Sequence, residues 1–173
     1  MAKTYPAIGP FTAGDILTAA TMTDIQTNLT NQRVPAMCRV KQTSGASIAD
    51  NTNVTLAFDA EDFDTDAMHD NAVNNSRITI NTAGVYLVVG GVRYTAGVSD
   101  ETRASILKNG GNVGIDERGS ANTRSGMQVM GYYDLAITDY LELQVYQNNS
   151  ANTARTTDTP YTFLSAAWIG QAS

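Results

Sequence analysis

Four kinds of residue are scarce in this chain. Its 173 residues include one cysteine, one histidine and four prolines, and only 16% are Asp, Glu, Lys or Arg, against about 25% in an ordinary globular domain. A lone Cys38 excludes an intrachain disulfide. A chain this long needs none, because a domain of its size buries roughly 70% of its unfolded surface. Thr, Asn, Ala and Ser take the place of the missing charges, which suits a neutral-polar β-rich shell. No run approaches the roughly 20 apolar residues of a membrane span. The opening residues, Met1 to Ala7, lack the apolar stretch of a signal peptide. The expectation is a soluble chain made in a cytoplasm, with no membrane insertion.

Basic clusters are missing as well. Eleven Lys and Arg face seventeen Asp and Glu, a formal charge of -6, so nucleic acid, which needs clustered cations, is not an expected partner. Anionic membrane surfaces are disfavoured for the same reason. The sequence contains no G-x-S-x-G, Walker A, C-x-x-C or H-E-x-x-H pattern. His69 has no neighbouring nucleophile in a recognisable arrangement. No enzyme activity and no cofactor are expected.

What is present divides in two. Residues 1–35 read as an arm. Tyr5-Pro6-Ala7-Ile8-Gly9-Pro10-Phe11 favours an extended backbone. Thr18 then caps a short helix to about Thr30, with Met22, Ile25 and Leu29 at 3–4 spacing. The helix is short and threonine-rich, so this piece is expected to be disordered alone or packed on another chain. From residue 36 to 173 the apolar period changes to two. Series such as Cys38/Val40, Leu56/Phe58, Ile78/Ile80, Met127/Val129, Leu141/Leu143/Val145 and Phe163/Ser165/Ala167 predict short strands. Asn109-Gly110 marks a tight hairpin. About ten such strands predict an all-β antiparallel sandwich or barrel.

One strand, Val85 to Val92, is apolar at nearly every position, which predicts burial on both faces. In a two-sheet sandwich the second face needs cover from a loop of the same chain or from another subunit. Tyr86 and Val88 here, with Leu164 and Trp168 on the last strand, are the expected subunit contacts.

These spaced motifs, from Phe58-Asp59 and Ile78 to Val88 through Leu107-Lys108-Asn109-Gly110 and Asp139 to Leu143 to Trp168-Ile169-Gly170, carry a resemblance. The stretch Val54 to Gly170 resembles the jelly-roll heads of the complement C1q and tumour-necrosis-factor superfamily, most closely the versions in phage structural proteins. The segment "GPFTAGDILTAATMTDIQTNL" looks like attachment segments of phage fibre and decoration proteins. The resemblance implies a C1q/TNF-like jelly roll of about ten strands that assembles as a homotrimer. It further implies a non-enzymatic virion structural protein, a capsid decoration or fibre, at the virion surface after assembly in the host cytoplasm. Capsid or tail proteins are then its partners, through Tyr5, Pro6, Ile8, Phe11, Met22, Ile25 and Leu29 of the arm. Two alternatives stand beside this: a tail-fibre tip that recognises a host-surface glycan, and a bacterial C1q-like binding module. The collagen-type stalk of the complement proteins is absent, so a complement role does not carry over.

One local feature invites a metal. Six of the seventeen acids fall in the twelve residues Asp59 to Asp70, and Asp62-x-Asp64-x-Asp66 opens like a calcium loop. Ala67 and Val73 stand where that loop needs Gly and Glu, so a solvated connecting loop is the favoured reading. The tyrosines of the strands are assigned to packing rather than to a sugar groove. Cys38 is expected inside, as a small hydrophobe.

Overall fold

A computed structural model describes residues 2–95, 97, 100–119 and 124–172. Its elements in chain order are α1 (Ala19–Arg33), β1 (Met37–Lys41), β2 (Ser47–Ile48), β3 (Thr52–Thr55), β4 (Ala60–Asp64), β5 (Arg77–Thr79), β6 (Gly84–Arg93), β7 (Glu101–Lys108), β8 (Gly111–Arg118), β9 (Gly126–Leu135), β10 (Tyr140–Asn148), β11 (Arg155–Thr156) and β12 (Phe163–Gly170). Thr18 caps α1 as expected, its Oγ1 accepting the Thr21 N–H at 3.2 Å. The helix continues three residues past the expected Thr30, and Pro35 lies just beyond its end.

Period-two strands fold into two facing antiparallel sheets. One runs β4-β1-β12-β6-β9; the other runs β3-β10-β7-β8, with β5 pairing along β10 beyond β3. The first and last strands of the head are neighbours, Cys38 opposite Ala166 and Val40 opposite Leu164. This is an antiparallel jelly roll with a short extended-and-helical arm. Twelve strands form among the described residues rather than about ten. The extra ones are short or lie at edges, where apolar alternation is weak.

Alternation builds the core. Cys38, Val40, Tyr86, Val88 and Leu164 from one sheet meet Ile78, Ile106, Leu141 and Leu143 from the other, all fully buried. The sheets touch closely: a Cβ added at Gly90 would meet Leu143 Cδ1 at 2.7 Å. The two largest buried hydroxyl side chains are satisfied, Tyr86 donating to Thr82 O at 2.5 Å and Tyr94 to Tyr146 O at 3.0 Å. The Asn109-Gly110 turn joins β7 to β8 with both residues at positive φ, 52° and 79°, the conformation that favours this dipeptide in tight hairpins.

Candidate interaction surface

Parity along β6 decides which side chains can meet another molecule. Tyr86 and Val88 point inward and are 0% exposed, as is Leu164 on β12. These three were expected at a subunit interface; the structure assigns them to the intramolecular core instead. The sequence reading treated β6 as one apolar run, whereas period-two geometry sends alternate residues to opposite faces. Trp168 is half-buried, at the rim of the core.

The outward residues of β6 are Val85, Leu87 and Val89, each half-buried. They sit in cross-strand rows. Met37, Ala167, Leu87 and Tyr132 form one row; Arg39, Ser165, Val89 and Met130 form the next. Tyr132 is 69% exposed and Met130 58%. In a third row Phe163 lies over Gly91, where a Cβ would meet the ring at 2.5 Å, and the Arg39 guanidinium sits 3.8 Å from the ring centroid. The result is an outer sheet face with an apolar centre and charges at its margins, Arg39 and Lys41 on β1, Arg93 on β6 and Asp134 on β9. A second apolar strip lies on the edge strand β8, where Val113 and Ile115 are exposed; Tyr133 of β9 reaches it, donating to Val113 O at 3.3 Å.

The arm does not hang free of the head. Tyr5 stacks on Trp168 with ring centroids 4.6 Å apart and planes 9° from parallel. Lys3 N donates to Thr82 Oγ1 at 2.8 Å. The extended segment lies along α1, where Asn28 Nδ2 donates to Pro6 O at 3.0 Å and Asn31 Nδ2 to Thr4 O at 2.5 Å. Tyr5 is thus engaged by the head, while Phe11, Met22 and Leu29 are exposed and Pro6, Ile8 and Ile25 half-buried. Sequence reasoning missed this fold-back, because nothing in a Thr- and Asn-rich helix signals that its amides will bond the chain that precedes it. A crevice of about 770 Å³ between Tyr5, Ile8, Asn28, Pro35, Trp168 and Ile169 marks where arm, helix and head meet.

The acidic segment proves to be partly strand. Asp62 sits in β4 and pairs with both Arg39 and Lys41 of β1; the Lys41 ammonium holds its carboxyl below the ordinary value. Asp64 instead accepts the Asp66 and His69 backbone N–H groups at 3.1 and 2.9 Å. Asp66 is buried and takes the Thr82 hydroxyl at 2.7 Å; burial pushes its pKa up. The three carboxylates of the calcium-like pattern therefore diverge. Among the described residues no group of three His, Cys, Asp or Glu side chains converges as a metal requires. The strand was hidden because its residues are charged and exposed, with Lys and Arg on the neighbouring strand supplying the partners.

His69 Nδ1 donates to Arg77 O at 2.7 Å. Cys38 is buried, and burial raises its thiol pKa well above the usual range, so the reactive thiolate is suppressed. The tyrosines scatter: Tyr86, Tyr94 and Tyr146 are buried, Tyr132 is exposed, and Tyr140 lies under the Arg77 guanidinium. No helix among the described residues is long and apolar enough to cross a membrane.

No protein-family model matches the chain, and no curated protein matches it in sequence. Solved structures do resemble it. Murine APRIL superposes with a TM-score of 0.61 at 14% identity, covering 78% of this chain and 98% of that one. Eiger TNF from S. frugiperda gives 0.58 at 12% identity, over 80% and 94%. The globular domain of zebrafish complement 1qA gives 0.52 at 10%, over 79% and 99%. The fold is the TNF/C1q-like jelly roll.

Proposed function

We propose that this chain is a non-enzymatic, homotrimeric structural protein of a tailed-phage particle, its jelly-roll head displayed outward and residues 1–35 attaching it to capsid or tail proteins. The observation that carries the self-assembly is the outer face of the β1-β12-β6-β9 sheet, where Leu87 and Val89 run into exposed Met130 and Tyr132. A contiguous exposed apolar face is unusual on a monomer. The face and the strip at Val113 and Ile115 lie on different parts of the molecule, so one patch can cover the other in a closed ring. The TNF/C1q-like fold is compatible with such a module.

Attachment through the arm rests on its sequence resemblance to phage attachment segments and on Phe11, Ile16 and Leu17, which are 55%, 88% and 50% exposed. Deleting residues 1–17 should leave a folded head that no longer binds particles, read by co-sedimentation with them and by cryo-electron microscopy. A truncated head that still decorates particles overturns this assignment. A second reading, a glycan-binding tip, is favoured by one feature: a crevice of about 370 Å³ lined by His69, Asp70, Asn74, Arg77 and Asn81. Binding of the head on a glycan array, lost in Arg77→Ala, would support it.

A further inference from the structure

Helix α1 has 15 residues and buries none of them. Its faces differ in chemistry. Asn28 and Asn31 bond the arm of the same chain. The adjacent stripe, Met22, Ile25 and Leu29, is only partly covered: Met22 is 45% exposed and Leu29 56%, while Ile25 is half-buried at the edge of the face that meets the arm. The stripe's steps are three, four and three residues when Gln32 is included, the a-d-a-d order of a heptad. Leu29 falls at an a position and Ile25 at a d position, a choice that shifts helical coils from pairs to three or four strands.

The route from helix to head indicates what covers the stripe. Only Val34, Pro35 and Ala36 separate Arg33 from Met37, so the end of α1 lies within roughly 14 Å of β1. Met37 belongs to the outer row that also holds Leu87 and Tyr132. If that face closes around a threefold axis, the three helix ends are carried to the same axis. Charge does not oppose their meeting, since Asp24 and Arg33 are the helix's only charged residues. A threonine-rich helix of this length is marginal alone. Tethering three copies to one assembled head supplies a millimolar-range effective concentration that favours their association.

We infer that α1 forms a parallel three-helix stem with two further copies of itself, Met22, Ile25, Leu29 and Gln32 lining the axis, while the extended segment around Phe11, Ile16 and Leu17 stays free for the particle. This rests on the assembly reading above. The test uses the full chain carrying Ile25→Cys, with Thr23→Cys on the far side of the helix as control; Cys38 is buried and does not compete. A short bismaleimide is added to chains of measured mass. In trimeric chains, covalent dimers forming at least tenfold faster for position 25 than for 23 support the stem. Equal or absent cross-linking in chains of trimeric mass overturns the stem and leaves the assembly reading standing. Monomeric mass overturns both. A second readout is circular dichroism of Ile25→Asp with Leu29→Asp: loss of the helical signal with trimeric mass kept supports the stem, and an unchanged helical signal overturns it.

Discussion

Neighbouring residues on β6 should fail in opposite ways when changed. Val88 is fully buried and faces the core, while Leu87 is half-buried and faces out between Ala167 and Tyr132. Val88→Ala removes two methyl groups from a packed interior. At about 0.8 kcal/mol per group for transfer plus a cavity contribution, the cost is roughly 2–3 kcal/mol. For a chain of this length that lowers the melting temperature by about 4–12 °C, without touching the outer face. Leu87→Asp loses only part of one side chain's burial in an isolated subunit, about 1 kcal/mol. In an assembled head it forces a carboxylate into each dry contact, at several kcal/mol. A loss of about 3 kcal/mol per contact weakens association more than 100-fold. Thermal melts and native mass spectrometry at micromolar concentration read both effects. The expected pattern is a destabilised but assembled Val88→Ala and a folded but dissociated Leu87→Asp. If Leu87→Asp assembles as the parent chain does, the outer face of this sheet is not the contact and the reasoning from parity to assembly fails.

Other outcomes follow from the same geometry. Tyr5→Ala should uncover one face of Trp168, the only tryptophan; a red shift of its emission with unchanged far-UV circular dichroism is expected, and no shift would show that the arm does not dock. Asp62→Asn should cost about 1 kcal/mol or less, because its pairs with Arg39 and Lys41 are a third exposed, and chelator should not move the melting temperature. Asp66 carries a raised pKa, so the native state holds its proton more tightly than the unfolded chain. Its contribution is present below the ordinary carboxylate pKa and is lost as pH rises through the higher native value. The Asp66→Asn variant should therefore gain stability relative to the parent between pH 4 and pH 7, and a difference independent of pH would contradict this. Cys38 should react with a thiol reagent only as fast as the chain unfolds; rapid labelling of native protein would place it elsewhere.

The long central strands were legible because apolar and polar residues alternate along them, as Leu141, Leu143 and Val145 alternate with Glu142 and Gln144, even though β10 is buried on most of both faces. The β7–β8 hairpin was legible because Asn-Gly has few other uses. What escaped were the elements whose signals lie outside composition. Strand β4 is acidic and exposed, and it is recognisable only once Arg39 and Lys41 stand beside it. Strand β8 carries its apolar residues, Val113 and Ile115, on the exposed side, so it presents no inward stripe to detect. The doubly apolar nature of β6 was read correctly, but the outward set is Val85, Leu87 and Val89, not Tyr86 and Val88. A run with no polar residues does not say which parity faces in; the pairing with Leu164 and Ala166 does. The arm's docking depends on one aromatic stack and a few amide bonds, contacts with no periodic signature.

The solution mass of the full chain tests the central claim most directly. Sedimentation equilibrium from about 1 to 100 µM should give three chains at every concentration, because the outer face, the β8 strip and the helix stripe are all covered only in a closed ring. A stable monomer across that range would contradict the account, leaving the apolar face of β6 and β9 without a partner made of this chain.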